Sequence, residues 1–244
     1  MASDITTAAV LGAGSMGAGI AALLASGGIK VHLLDLPADG DDRDARARKG
    51  IETQVKRHGF TRPEYAERVT PGNTEDHLDR LAEADWIVEA VFEDMDVKKD
   101  VFARIDELAG PGTVLATNTS RLDIDELARS ISRPAEVIGL HFFSPAHVMK
   151  LLEVVRGEET SEEVIVTALA TVSLFIGVAR LDGFVLFASR HAEEIAQELR
   201  VALVAHGVPQ HLAWWSASAG PLKPGGLVST ARDEMPGYRA RHFD

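Results

Sequence analysis

The chain has no cysteine among its 244 residues. That absence removes disulfides, thiolate metal ligands and a thiol nucleophile together, and it fits a reducing compartment such as the cytoplasm. Positive charge is also scarce. Lys and Arg number 25 against 37 Asp and Glu, giving a formal net charge of −12 and a pI near 5.2, which argues against a nucleic-acid or anionic-membrane surface. Any phosphate group must therefore be met by a local site. Membrane-length apolar runs are missing too. The most apolar segment, Val164–Ala179, contains Thr167, Thr171 and Ser173 and follows Thr160-Ser161-Glu162-Glu163, a capped helix start; it is shorter than the ~20 residues of a span and reads as a buried helix. The opening MASDITT lacks the basic flank and apolar core of a signal peptide. No metal site is expected.

What is present is alternation. Short apolar runs at Ala8–Leu11, Val31–Asp35, Trp86–Val91, Thr113–Thr117, Val137–His141 and Leu151–Val155 alternate with helical patterns at Ser15–Ser26, Asp42–His58, Asp96–Leu108, Asp123–Ile131 and Ser161–Ile176. A further short strand is expected near Arg68–Thr70. This order predicts an α/β fold of Rossmann type, a doubly wound and mostly parallel sheet, spanning residues 1–182. Residues 183–244 are expected to form a short helical extension. One helix is predicted within 183–206, and a mobile segment after Pro209, where prolines and glycines crowd and apolar periodicity fades.

Directly after the first strand stands Gly12-Ala13-Gly14-Ser15-Met16-Gly17, which also opens the first helix. In this strand–turn–helix context Gly12 serves the tight turn, Gly14 the close approach of a pyrophosphate, and Gly17 the packing of helix on strand. The helix N-terminus at Ser15 and Met16 offers free N–H groups to the anion. Asp35 ends the second strand, 18 residues beyond Gly17. Its carboxylate suits ribose hydroxyls and repels a 2′-phosphate, so NAD is expected rather than NADP.

His141 ends a strand in Gly139-Leu140-His141-Phe142-Phe143-Ser144-Pro145, and Glu153 sits twelve residues later inside the apolar strand Leu151–Val155. A buried carboxylate needs a partner, and a strand-end histidine stands where open α/β sheets bind ligands. A His–Glu general acid/base pair is one reading; a structural histidine and a water-facing edge acid are the other.

The segments LGAGSMGAGIA, DWIVEAVFEDMDVKKDVF, TNTS and GLHFFSPAHVMKLLEVVRG, all between Ala8 and Val172, resemble the 3-hydroxyacyl-CoA dehydrogenases of fatty-acid β-oxidation. The resemblance implies that His141 is the base for the 3-hydroxyl and Glu153 its orienting partner. It implies that Ser120 binds the substrate oxygen with Asn118 beside it, and that Glu93 and Lys98 touch NAD. Ser144 and the basic residues Arg46, Lys49 and Lys56 of the second helix are expected to meet the acyl-CoA; for that helix a plain solvated face is the even alternative. In the family a helical domain follows and forms a homodimer. Here residues 183–244 match that domain poorly, and Phe187 stands where the family places an active-site asparagine. Two other readings stand beside this one: an NAD-binding module without turnover, and a lysine-dependent β-hydroxyacid dehydrogenase sharing the glycine motif.

Overall fold

The computed structural model describes residues 5–149, 151–178, 184–188 and 213–215. Among the described residues, nine strands form one sheet in the order β3-β2-β1-β4-β5-β6-β7-β8-β9. They are β1 (Thr7–Leu11), β2 (Lys30–Asp35), β3 (Val69–Asn73), β4 (Trp86–Glu89), β5 (Val114–Thr117), β6 (Val137–Phe142), β7 (Leu151–Val155), β8 (Phe184–Ala188) and β9 (Ala213–Trp215). The order 3-2-1-4-5-6 is that of a Rossmann sheet. All neighbouring strands run parallel except β6 and β7, which are antiparallel.

Among the described residues, five α-helices cover the sheet: α1 (Ser15–Ser26), α2 (Ala45–Lys56), α3 (Met95–Leu108), α4 (Ile124–Ala128) and α5 (Glu162–Val178). Alternate strand residues point to opposite faces, which divides the core in two. Ala8, Val10, Val31, Leu33, Trp86 and Val88 join Ile20, Leu24 and Ile165 on the face of α1 and α5. Ala9, Leu11, Leu34, Ile87 and Leu115 join Phe102, Ile105 and Leu127 on the face of α3 and α4. Strands buried on both faces explain why the sequence shows continuous apolar runs instead of alternation.

The helix starts are written in side chains. Asp94 caps α3 by accepting from the N–H groups of Asp96 and Val97, and Asp123 caps α4 in the same way. At α5 the expected cap is present: Ser161 Oγ accepts from Val164 N at 3.3 Å. The expected helix over Asp123–Ile131 ends early, at Ala128, where Ser130 Oγ donates to the Leu127 carbonyl at 2.6 Å and closes the last turn.

The helical extension is corrected where it is described. Residues 184–188, expected within a helix, form β8 in parallel register with β7, from Leu151↔Phe184 to Val155↔Ala188. The outer edge of β7 offers unpaired backbone groups, and the aromatic and β-branched run Phe-Val-Leu-Phe is suited to take them up. Likewise Ala213–Trp215, expected within a mobile tail, pair with β8 as β9. The remainder of the expected helix and tail lies outside the described residues.

Candidate dinucleotide and catalytic site

The carboxyl ends of β1, β2, β4, β5 and β6 carry the predicted residues to one edge of the sheet. At β1 the turn begins with Gly12 at φ +100°, a conformation that L side chains rarely adopt, and its N–H donates to the Leu34 carbonyl at 2.7 Å. A Cβ on Gly17 would lie 1.8 Å from the Gly12 carbonyl oxygen, so the helix can approach the strand only through glycine. Gly14 differs. A Cβ there would meet nothing within 4 Å, and its φ of −66° and ψ of −169° suit any residue. Nothing among the described residues calls for glycine at 14, whereas a phosphate approaching the backbone would. Helix α1 starts without a side-chain cap, so its first N–H groups, at exposed Ser15 and half-buried Met16, are available to an anion. These residues fit a dinucleotide pyrophosphate.

Asp35 ends β2 and holds two backbone donors. Its Oδ2 accepts from Ala13 N in the glycine turn, and its Oδ1 accepts from Leu36 N at 2.8 Å. Asp35, expected to meet the ribose, thus also fastens the glycine turn, a second task that the spacing alone does not reveal.

His141 and Glu153 are brought together. They are directly opposite in the β6–β7 ladder, and His141 Nδ1 lies 2.7 Å from Glu153 Oε2. Antiparallel pairing places both side chains on one face, at 18% and 14% exposure, where the pair is partly desolvated yet reachable. The imidazole also packs at 4.4 Å against the Phe143 ring. With Nδ1–H donating to the carboxylate, Nε2 is the free nitrogen; it has no partner among the described residues. Asn118 is held close by, its Oδ1 accepting from Phe142 N at 2.9 Å.

Ser120 is organised from behind by an ion network. Glu93 Oε1 accepts from Thr119 Oγ1 at 2.7 Å, Ser120 N at 2.9 Å and Ser120 Oγ at 3.3 Å, while its Oε2 lies 3.3 Å from Lys98 Nζ. Burial pushes the Glu93 carboxyl up, but the bonds from Thr119 and Ser120 and the charge of Lys98 outweigh it and hold the group below the usual carboxylate range. Lys98 itself is buried, with a side chain 1% exposed, and its ammonium lies 2.6 Å from Glu89 Oε1. Lys98, expected to touch the cofactor, has its charge enclosed between the carboxylates of Glu89 and Glu93, and it meets the Ser120 turn through Glu93. Removing one partner of such a pair strands the other, at a cost of about 3–5 kcal/mol.

A cleft of about 300 Å³ opens beside the start of α1, lined by Ser15, Gln54, Arg57, Pro145, Ala146 and His147. Gln54 is 3% exposed and its Oε1 is buried without a partner. Arg46, Lys49 and Lys56, expected to meet the substrate, are exposed on α2 but do not line this cleft, and Ser144 is exposed at its margin, before Pro145. The helix turns them outward because Ala47, Gly50 and Gln54 form its buried side. Arg57 belongs to the basic stretch expected to meet CoA, whereas Glu89, Gln54 and His147 were not anticipated. Glu89 carried a signal, since an acid closing the apolar run Trp86-Ile87-Val88 is as anomalous as Glu153.

No helix among the described residues is long and apolar enough to cross a membrane. The chain matches the family model described as 3-hydroxyacyl-CoA dehydrogenase, NAD binding domain, over residues 7–176. It is 39% identical over 184 residues to a probable 3-hydroxyacyl-CoA dehydrogenase of Bacillus subtilis, covering 68% of this chain and 23% of that protein. It is 42% identical over 170 residues to 3-hydroxyadipyl-CoA dehydrogenase of Escherichia coli, covering 68% of this chain and 35% of that protein. The chain thus spans well under half the length of these relatives. The crystal structure of 3-hydroxybutyryl-CoA dehydrogenase from Escherichia coli superimposes with a TM-score of 0.62 at 32% identity, covering 82% of this chain and 44% of the other. The glycine turn, the acid ending β2 and the matched residues converge on one conclusion: the chain belongs to the 3-hydroxyacyl-CoA dehydrogenase family, with residues 7–176 as its NAD-binding domain.

Proposed function

We propose that the chain oxidises L-3-hydroxyacyl-CoA to 3-oxoacyl-CoA with NAD⁺, in the manner of fatty-acid β-oxidation. The observation that carries this reading is the 2.7 Å contact of His141 Nδ1 with Glu153 across the β6–β7 ladder. Glu153 fixes the tautomer, leaving Nε2 to accept the proton of the substrate 3-hydroxyl, and then stabilises the imidazolium that results. Ser120 Oγ holds the substrate oxygen as the C3–O bond becomes a carbonyl. Bound NAD⁺ supplies the acceptor for the hydride leaving C3. Asp35 sets the ribose end of the cofactor site and selects NAD over NADP.

The cleft on α2 supports an acyl-CoA substrate. Gln54, Arg57 and His147 offer an amide, a guanidinium and an imidazole beside α1, which suits a chain of amides ending in phosphates. Arg46, Lys49 and Lys56 lie exposed on the same helix, and among the described residues none of them pairs with a carboxylate. The surface is thus locally basic on an acidic chain. A cytoplasmic location and a homodimer are consistent with this reading.

The test is NADH formation from NAD⁺ and a 3-hydroxyacyl-CoA, followed by absorbance, beside a fluorescence titration of NADH binding. Turnover that disappears in His141→Ala, with NADH affinity retained, is the expected result. Binding without turnover in the parent chain would replace the enzyme with an NAD-holding module.

A further inference from the structure

Glu89 is the most enclosed charge described in the chain, and none of the catalytic steps above uses it. It is 0% exposed and closes β4. Its Oε1 accepts from Lys98 Nζ at 2.6 Å and from Val91 N at 2.7 Å, and its Oε2 accepts from Thr117 Oγ1 at 2.7 Å. Its own carbonyl accepts from Asn118 N at 2.8 Å. One residue therefore ties the loop after β4, the buried face of α3 and the loop after β5, and these are the segments that carry Glu93, Lys98, Asn118 and Ser120.

We propose that Glu89 is a positioning residue for the nicotinamide end of the site. It holds Lys98 so that the ammonium is shared between two carboxylates, and Glu93 is left free to grip Thr119 and Ser120. The geometry shows the division. Lys98 Nζ stands 2.6 Å from Glu89 but 3.3 Å from Glu93 Oε2, while Glu93 Oε1 is taken by Thr119 and Ser120. Without the negative charge at 89, Glu93 is the one anion left for Lys98 in this network. The ammonium then draws Glu93 inward, and its hold on the Thr119–Ser120 turn slackens. This inference rests on the reading that Glu93 and Ser120 face the cofactor and substrate.

Glu89→Gln isolates the charge, because a carboxamide keeps the shape: its oxygen still accepts from Val91 N and its NH₂ donates to Thr117 Oγ1. NADH affinity should fall about tenfold, within the range of couplings between neighbours in one network. Hydrogen exchange at the Ser120 amide should quicken. In a double-mutant cycle with Glu93→Gln, the double variant should bind NADH no more weakly than Glu93→Gln alone, since Glu89 acts through Glu93. Parental NADH affinity and Ser120 exchange in Glu89→Gln would overturn the inference, and so would losses that multiply in the double variant. If Glu89→Gln does not fold, Glu89→Asp keeps the buried charge but withdraws it from Lys98 by one methylene, so that the ammonium shifts toward Glu93. Weaker NADH binding and faster Ser120 exchange than in the parent are then expected, and parental values would refute the role. Titration of the parent chain tests the cofactor reading separately.

Discussion

Gly14 and Gly17 belong to one motif, yet the structure gives them opposite consequences on substitution. For Gly17→Ala the new Cβ would sit 1.8 Å from the Gly12 carbonyl oxygen and 2.9 Å from its carbon. Both atoms are backbone, in a turn already held by the bond from Gly12 N to Leu34 O. Overpacking of this kind costs about 1–3 kcal/mol or more, and at roughly 2–4 °C per kcal/mol for a chain of this size the melting temperature should drop by several degrees. For Gly14→Ala the Cβ enters open space with backbone angles that alanine adopts freely. The smaller entropy of the unfolded chain, worth about 0.4–1 kcal/mol, offsets the slightly poorer helix cap, and stability should change by less than about 1 kcal/mol. The methyl group would stand where the pyrophosphate approaches. A clash of about 1–3 kcal/mol there weakens binding by about 5- to 150-fold. Thermal melts and NADH fluorescence titrations on both variants separate the two effects. A Gly14→Ala protein that melts normally and binds NADH as tightly as its parent would refute the placement of the cofactor over this turn.

Asp35→Ala removes the acceptor of Ala13 N together with the proposed ribose acceptor, so the proposed preference for NAD⁺ over NADP⁺ should narrow while affinity for both cofactors falls. Competition titrations with the two cofactors check this, and equal affinities in the unmodified protein would reject the assignment. Glu153→Gln should lower kcat by about 10²- to 10⁴-fold, the range for general acid/base assistance, with little change in NADH affinity; an unaltered rate would remove the dyad. Asp85, Glu93 and Asp106 are each buried enough to be pushed up, yet each is held below its ordinary value by hydrogen bonds, from Thr6 and Thr7, from Thr119 and Ser120, and from Ser132 and Arg133 respectively. Because the folded carboxyls titrate below the unfolded ones, their stabilisation is present above the ordinary carboxylate range and is lost as the pH falls through the folded values. Melting temperature should accordingly be level near neutrality and fall once the solution is acidified below about pH 5; a melting temperature that stays constant down to pH 3.5 would contradict it.

The sheet and the cofactor turn were legible in the sequence because their causes are local. Apolar runs such as Ala8–Leu11 and Trp86–Val88 announce strands buried on both faces. Glycines 12, 14 and 17 are dictated by backbone angles and contacts within a few residues or by the ligand itself. His141 and Glu153 stood out singly, as a strand-end imidazole and a carboxylate in an apolar strand. That they meet was decided by the antiparallel register of β6 and β7, which no spacing of twelve residues specifies. Glu89 and Lys98 are nine residues apart, on a strand and on the helix after it, and only the packing of α3 against the sheet closes them to 2.6 Å. The basic residues of α2 were visible as charges, but the helix rotation that buries Gln54 also decided that Arg57, and not Lys49 or Lys56, lines the cleft. Strand β8 was hidden because Phe184–Ala188 has an apolar pattern that serves a helix or a strand alike, and the free edge of β7 settled it. Local propensity and backbone sterics thus set the elements and the glycine turn, while strand register and helix packing, which join residues distant in the chain, built the His141–Glu153 pair and the ion network of Glu89, Glu93 and Lys98.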